Sequence, residues 1–574
     1  MDIKPQTEET LAPSRNDVTV NHVCRMFQAA SEKRQSFLPV WDEISNYMLP
    51  IQDGFYNIDK QGVVNSVSQR LDVYDDTASL ALVKSASALY SFTANPATEW
   101  FSFSLPVIQN SKERYEDILN DTDIKKYLSD TKKIVTKYLN RAISSAMHPL
   151  MQEAMAFSTS AIYIKEEEDS ALAMTAIPVS IRDLYILDNS SRQIDKVIRP
   201  VLLTAEQAAE QFGEANLHPT VIEQLKDSPY DTVVYLHAVY PRTSRDVQSK
   251  ENINKKYASV WVDYKNKFVV SESGLDEFPY GIARINVHGD LVYGYSPGMM
   301  VRNNVKSLNK TQRQKLEAGD KALNPPMNVP MDTYPNPLSL KPAALNYYDP
   351  EAGAALAAPI NNLGPAQIAI DNIQDLRQQV KEGLLNDLIQ PVGGDTTYHA
   401  QQEQLLQLRL MAPWQGPFEK DLLGPMVIRG FNILYRHKLL PEPPARLVEY
   451  LKNGEKKIQL MYESPLAKAQ QFPILQGIDR TIQFAGGLAP VGGMDSIKVH
   501  ETIKIYASLA GAPIDILNTD NELKAIQKKR EDAIKEQQEA QNKMAMMSQV
   551  PNLARSVKDM SSADPEKLKS MFGA

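Results

Sequence analysis

Cysteine is almost absent from this sequence: Cys24 is the only one in 574 residues. That excludes an intramolecular disulfide framework and any zinc site built on cysteines, and it fits assembly in a reducing cytoplasm. An excess of basic charge is absent too. Lys and Arg number 62 against 70 Asp and Glu, a formal net charge of −8. Proteins that hold nucleic acid by bulk electrostatics are usually basic, because neutralising phosphates releases counterions. Any contact with DNA must then be local or deliberately weak. No apolar run reaches the roughly 18 residues of a membrane span. The nearest, residues 352–370, is broken by Pro359, Asn361, Asn362, Gly364 and Pro365. The first residues are polar and acidic and do not read as a signal peptide. A soluble protein with no membrane partner is expected. There is no G-x-x-x-x-G-K-[ST] phosphate loop, which argues against an ATP-driven motor. The eight histidines show no H-E-x-x-H or similar ligand spacing. No cofactor and no metal are expected.

The chain is long enough for several hydrophobic cores, and 43% hydrophobic with 23% charged residues is ordinary for a globular protein. A first helical stretch runs from about Asp17 to Leu49, with Val20, Val23, Cys24 and Phe27 on one face and Trp41, Ile44 and Met48 continuing the pattern. A second covers Tyr74 to Thr93, and a charge-rich third runs from about Lys112 to Ser145. From Ala161 to Gly289 the pattern changes to strands: residues 161–167, 196–203, 232–241, 257–264 and 280–289 are rich in β-branched and aromatic side chains separated by turns. Thr204 caps a short helix ending at Gly213. This stretch predicts an antiparallel sheet domain decorated by helices.

The region from Ser296 to about residue 415 is the most informative. Ser296 and Pro297 predict the cap and first turn of a helix that reaches Leu323, where Asn324-Pro325-Pro326 ends it. Such a helix is roughly 40 Å long. About forty proline-dense residues come next. Gly364-Pro365 then opens a second helix with Ile373, Leu376, Val380 and Leu384 on one face. The segment Pro391-Val392-Gly393-Gly394-Asp395 interrupts it, and a further helix is expected from about Thr397 to His437, bent near Pro413 and Pro417. Two matched helices joined by a compact proline-rich unit, then a glycine hinge, read as a stalk with a tip. Residues 520–548 predict a charged, solvated helix that copies in a ring could pack together.

Three patterns bear on chemistry. Gly294-Tyr295-Ser296-Pro297-Gly298 matches the G-x-S-x-G nucleophile elbow, in an apparent context of strand (residues 291–293), turn and helix. It fails on mechanism: the oxyanion hole needs the backbone N–H after the serine, and proline has none. Ser296 reads as a helix cap. The carboxylates Asp75-Asp76 and Glu166-Glu167-Glu168 are acidic enough to hold Mg²⁺, but such runs are usually solvated faces. Arg302, Lys306, Lys310 and Arg313 share one helix face. They are either a solvated face, with Glu317 as salt partner to Arg313, or a basic stripe facing a DNA channel.

The sequence also carries specific phrases. Leu71-Asp72-Val73-Tyr74-Asp75-Asp76-Thr77 and Thr93-Ala94-Asn95-Pro96-Ala97-Thr98-Glu99-Trp100-Phe101 resemble the "yDsT" and "tNPxtxWF" blocks of the podovirus head-to-tail connector family, the portal proteins of short-tailed bacteriophages. Tyr293-Gly294-Tyr295-Ser296-Pro297-Gly298 is similar to its "YGxSPg" block. Leu439-Leu440-Pro441-Glu442-Pro443-Pro444 and Tyr462-Glu463-Ser464-Pro465-Leu466-Ala467-Lys468-Ala469-Gln470 resemble its late "lP-xPP" and "y-SPLAxAQ" segments. The blocks are collinear from about residue 20 to 530. One departs: where the family reads close to "mTAtEv", this chain has Asp395-Thr396-Thr397-Tyr398-His399-Ala400.

The resemblance implies an α+β, predominantly α-helical portal fold with wing, stem, clip and crown, assembling into a homo-dodecameric ring. In this numbering 1–296 is N-terminal wing, helices plus antiparallel sheet. Residues 297–323 and 365–390 are stem helices, 324–364 the clip and 391–397 the channel (tunnel) loop. Residues 398–462 return to the wing as a long bent helix, and 463–574 form the crown and C-terminal helical segment. The implied function is that of a portal, not an enzyme. The ring sits at the capsid vertex, the head-tail junction of the virion, after assembly in the host cytoplasm, and double-stranded DNA passes through it in viral genome packaging and DNA ejection. Implied partners are the large terminase, tail adaptor and nozzle proteins, major capsid and scaffolding proteins, and internal core proteins. DNA-channel candidates are Arg302, Lys306, Lys310, Arg313, Gly393, Gly394, Asp395 and Thr396. Docking candidates in the clip are Asn328, Met331, Asp332, Tyr334, Tyr347 and Tyr348. The competing readings are a tail tube or adaptor protein, which is not expected to carry paired stem helices, and a packaging enzyme, which would need the missing phosphate loop.

Overall fold

Two helices, α1 (Arg15–Gln35) and α2 (Leu38–Tyr47), stand where the periodicity predicts one. The break has a local cause: Pro39 lies in the first turn of α2, where it tolerates a missing N–H but cannot continue the preceding helix. The computed structural model describes residues 15–49, 73–95, 100–106, 118, 121–246, 248–249, 251–324, 327–330, 339, 341–348, 358–359, 366–389, 410, 413–414, 416–453, 458–462, 465–487, 497–510 and 525–541. They fall into two compact units divided between Ala469 and Gln470.

In the first unit, α3 (Thr77–Thr93) leads to strand β1 (Phe101–Ser104), then to α4 (Thr122–Ile143) and α5 (Met147–Phe157). Helix α4 begins at an Asp121 cap whose carboxylate accepts from the N–H groups of Asp123 and Ile124; apart from residue 118, the expected start over 112–120 lies outside the described residues. Two antiparallel sheets come next, where the strand pattern predicts one. The smaller has the order β3-β2-β9, with β2 (Thr159–Glu166) between β3 (Met174–Val179) and β9 (Tyr280–Arg284). The larger is a meander of β4 (Tyr185–Asp188), β5 (Ile194–Thr204), β6 (Thr232–Pro241), β7 (Tyr257–Asp263) and β8 (Phe268–Leu275). Apolar residues of α1, among them Val20, Val23 and Phe27, join one hydrophobic cluster with this sheet. Helices α6 (Ala205–Phe212) and α7 (Pro219–Asp227) join another with Val233, Tyr235 and Val270. Thr204 and Gln207 close a capping box at the start of α6.

Helix α8 (Pro297–Leu323) begins and ends where Ser296-Pro297 and Asn324-Pro325 predict. The proline-rich segment contains a small sheet that periodicity does not reveal: β10 (Met327–Pro330) runs parallel to β11 (Leu345–Tyr348) and antiparallel to β12 (Ala358–Pro359). Helix α9 (Ala366–Gly383) is shorter than the 365–390 span expected. It stops at Gly383, Leu385 takes a left-handed φ of 63°, and a 3-10 turn covers Asn386–Ile389.

The bent helix expected over 398–462 also needs correction. Its described part passes Pro413 and Pro417, takes a π-helical form over Phe418–Leu423, continues as α10 (Gly424–Arg436) and stops. A turn, helix α11 (Ala445–Asn453) and strand β13 (Gln459–Tyr462) are the described elements of the rest, and β13 pairs with β1. Pro441, Pro443 and Pro444 cannot continue a helix. The main core gathers Trp41 of α2, Phe157 of α5, Tyr280 of β9, Tyr293 and Phe418. Helix α12 (Pro465–Gly487) runs across that division, and in the second unit α13 (Val499–Ala510) precedes a helix over 525–541 whose residues are all exposed. No described helix is long and apolar enough to cross a membrane.

Candidate functional site

Helices α8 and α9 are the site toward which the sequence points, and their first requirement is a fixed origin. Tyr293 is fully buried; its hydroxyl donates to Leu184 O at 3.1 Å, and its ring meets Trp41 edge-on at 5.0 Å. A Cβ on Gly294 would lie 1.9 Å from Ile285 O, so only glycine fits. Ser296 Oγ accepts from Met299 N at 3.0 Å and donates to Ala156 O at 2.6 Å. The serine is a buried cap, wholly committed to structure. Residues 291–294 form no strand, so the nucleophile-elbow context is also missing.

From this origin the N-terminal half of α8 is buried through Met299, Val301, Val305, Leu308 and Asn309. The helix beyond Asn309 is solvent-facing, with Leu316 and Leu323 49% and 81% exposed. At 1.5 Å per residue its last fourteen residues carry it roughly 20 Å out of the core. Helix α9 lies antiparallel alongside. Asn304 Nδ2 donates to Gln379 Oε1 at 3.1 Å, and a Cβ on Gly383 would lie 2.1 Å from Val301 Cγ1. Ile373 and Val380 are the buried side of α9, and Leu384 is buried just past its end.

The segment before α3 clasps both helices. Tyr74 N donates to Asn309 Oδ1 of α8 at 2.6 Å. Arg313 of α8 sits over the Tyr74 ring at 5.8 Å. Next to it, Asp75 Oδ2 accepts from Arg377 Nε and Nη2 of α9 at 2.9 and 2.8 Å. Burial works to raise the Asp75 pKa, but the Thr77 hydroxyl and amide and the Arg377 guanidinium outweigh it and hold the carboxyl below its usual value. The end of α9 is anchored on α3. Asn386 Nδ2 donates to Ala81 O at 3.0 Å, and the Ser85 hydroxyl lies between Ala81 O and Leu384 O. The chain therefore leaves Ile389 from a fixed base.

Comparison with known proteins agrees with this architecture. Residues 21–517 match the family model described as "Bacteriophage head to tail connecting protein". The chain belongs to that family. It is similar to the "Portal protein" of Salmonella phage epsilon15, 27% identical over 558 residues that cover 94% of this chain and 96% of the relative. It is also similar to the "Probable portal protein" of Bordetella phage BPP-1, 24% identical over 539 residues, 90% of this chain and 91% of the relative.

The basic stripe of this head-to-tail connecting protein divides in two. Glu43 of α2 holds Arg302 Nε at 3.3 Å and Lys306 Nζ at 2.8 Å. Arg313 Nε pairs with Glu317 at 2.8 Å, and Lys310 is exposed. Of the docking candidates, Asn328 lies on β10 opposite Asn346, and Tyr347 and Tyr348 lie on β11 opposite Val329 and Pro330. Met331, Asp332, Tyr334, Gly393, Gly394, Asp395 and Thr396 lie outside the described residues. The acidic runs are engaged elsewhere: Asp75 by Arg377, and Glu166 by Arg436 at 2.6 Å. Among the described residues no group of three or more His, Cys, Asp or Glu side chains is arranged to hold a metal. Sequence reasoning missed Glu43, Asn309, Arg377 and Asn386. The only signal was the placement of Tyr74 and Asp75 in a family phrase, since partners more than 200 residues away leave no spacing to read.

Proposed function

We propose that this chain is the portal subunit of a short-tailed phage: a structural, non-enzymatic protein forming a ring at one capsid vertex, through which double-stranded DNA enters and leaves. The observation that carries this reading is the match to one connector family across residues 21–517. The clasped antiparallel pair α8–α9 supports assigning 297–323 and 365–390 to the stem and 391–397 to a channel loop. Residues 324–364 then form the clip that docks the terminase and afterwards the tail adaptor. Residues 1–296 and 398–462 form the wing, and 463–574 the crown.

A portal must pass a polyanion without gripping it. Net negative charge suits that task, while sparse cations repeated by ring symmetry keep the duplex centred. On this reading Lys310, Arg313 and residues 393–396 face the channel, and Arg302 and Lys306 add little field because Glu43 neutralises part of their charge. The test is electron microscopy of the purified protein, viewed end-on, with incorporation into empty proheads as a second readout. Closed rings with a central hole about 20 Å wide or more, enough for a DNA duplex, and entry before DNA filling support the portal. Attachment only to filled heads would sink it in favour of a tail component.

A further inference from the structure

We propose that neighbouring copies of this chain dock through an aromatic knob, Tyr230 of one copy, seated in an apolar groove beside α4 of the next. The proposal deepens the portal reading and rests on it, since a ring repeats one contact between two different faces.

Tyr230 is 75% exposed, yet its backbone is tightly held. It lies on the turn Ser228–Asp231, closed by Asp231 N donating to Ser228 O at 3.1 Å. Two further bonds pin that turn to the start of α6: Ala205 N to Asp231 O and Glu206 N to Pro229 O, both 3.1 Å. An exposed ring on fixed backbone loses little freedom when it docks, the property that makes tyrosine an effective interface anchor. Its surroundings are acidic. Asp227, Asp231 and Glu206 are all exposed, and residues 205–231 hold six carboxylates against one Lys or Arg, Lys226.

The groove has the opposite character. Ile134 of α4 and Leu439, Leu440 and Pro441 of the turn after α10 line it, with Lys133 and Asp130 at its edge. Lys438, at a left-handed φ of 56°, turns the chain out of α10, and Leu439 N donates to Leu434 O at 3.0 Å. The four apolar side chains are half-buried and open to solvent. Lys133 and Lys137 are exposed one turn apart on α4, and Lys438 is exposed beside Leu439. The acids nearby in sequence are Asp130, paired with Lys133 at 3.8 Å, and Glu442. Helix α4 as a whole carries six Lys and Arg against two Asp.

The two surfaces match twice, ring to apolar groove and acidic rim to basic rim. They are different patches of one chain, which is what a head-to-tail contact needs, whereas a two-fold contact uses one patch twice. An apolar anchor inside a complementary charged rim is also how binding energy and orientation are divided at protein interfaces.

The test uses full-length chains carrying Cys24→Ser, which removes the one native thiol. One chain carries Tyr230→Cys, another Leu440→Cys; they are mixed during assembly and treated with a short bis-maleimide. The expected result is a covalent dimer at least about fivefold more abundant than with either chain alone. Lys137→Glu in the groove chain should cut the yield roughly threefold, and Asp231→Lys in the knob chain should restore it. A mixed yield no higher than the single-chain controls overturns the docking. End-on microscopy of the same samples separates the two hypotheses: rings without the cross-link reject the contact and spare the portal reading, whereas no rings and no cross-link reject both.

Discussion

Removing Arg377 tests the clasp most directly. Its guanidinium donates two bonds to one oxygen of Asp75, and the Asp75 side chain is 2% exposed while that of Arg377 is 42% exposed. Breaking a fully buried pair costs about 3–5 kcal/mol, and an exposed pair contributes only about 0.2–1 kcal/mol. One desolvated partner places this pair between those limits, so Arg377→Ala should cost about 1–3 kcal/mol. In so long a chain a global unfolding energy is poorly defined, and local opening is the better readout. Hydrogen exchange of the α9 amides should quicken roughly 5- to 150-fold, with the five-stranded sheet unaffected. Arg377→Lys keeps the charge but loses the planar fork and should fall between. The folded pKa of Asp75 lies below its unfolded value of 3.8. The clasp's contribution is therefore complete above that value and is lost as pH falls through the lower folded one. Exchange in α9 unchanged within about twofold in Arg377→Ala would refute the reasoning and leave the apolar packing of Ile373 and Val380, with the other polar contacts of α9, as its attachment.

Other perturbations probe the same geometry. Gly383→Ala forces a methyl to within 2.1 Å of Val301 Cγ1 and should cost about 1–3 kcal/mol; Val301→Ala in the same chain should recover part of that, measured by exchange in α8 and α9. Ser296→Ala removes both a cap and a bond to Ala156 O; about 1–2 kcal/mol of local stability in the first turn of α8 should vanish. Burial and the nearby Arg199 hold the His237 imidazole, stacked on Trp261 at 4.2 Å, well below its usual value of 6.5. Its stability contribution is full above 6.5 and lost as pH falls, so the melting temperature should drop from pH 6.5 to 5, and His237→Phe should flatten that drop. Burial pushes the Glu153 carboxyl up to about 7, the opposite sign, so stability is lost as pH rises from 4.5 toward 7. Glu153→Gln should stabilise by about 1–2 kcal/mol at pH 8 and do nothing at pH 4.

Local signals were legible wherever one short stretch of sequence contains the cause. The cap and first turn at Ser296-Pro297, the stop at Asn324-Pro325, the cap at Thr204 and the three middle strands of the meander, β5, β6 and β7, all belong to this class, whereas β4 and β8 went unread. The failures have causes outside the window being read. The antiparallel partners in the strand region share one β grammar, so the split into two sheets is decided by which strands pair, with Tyr163 opposite Tyr280 across more than a hundred residues. The apolar periodicity of α9 carries on through Leu384, yet the helix ends because Gly383 must approach Val301 and Leu385 turns left-handed. Two of the four residues of the basic stripe, Arg302 and Lys306, pair with Glu43, a residue whose position relative to α8 no spacing discloses.

The family phrases explain themselves once the partners are seen. Tyr74 and Asp75 reach Asn309 and Arg377; Phe101 pairs across strands with Tyr462; Tyr293 lies against Trp41. Each of these contacts joins residues more than 200 positions apart, and none of these described residues forms a nucleophile–base pair or a ligand set. An enzyme's phrases converge on a point where a bond changes. These converge on the root of a projecting helix pair and on the seam where the late part of the chain returns to the early part. That distribution suits the mechanical task proposed above: helices beside moving DNA would have to keep their angle under load, and the residues that set an angle sit at its root. It also locates where variation should be cheap. Beyond Lys310 the exposed flank of α8 makes few of these contacts, so on the portal reading substitutions there should alter the passage of DNA before they alter stability. Substitutions at Tyr74, Asp75 or Tyr293 should do the reverse.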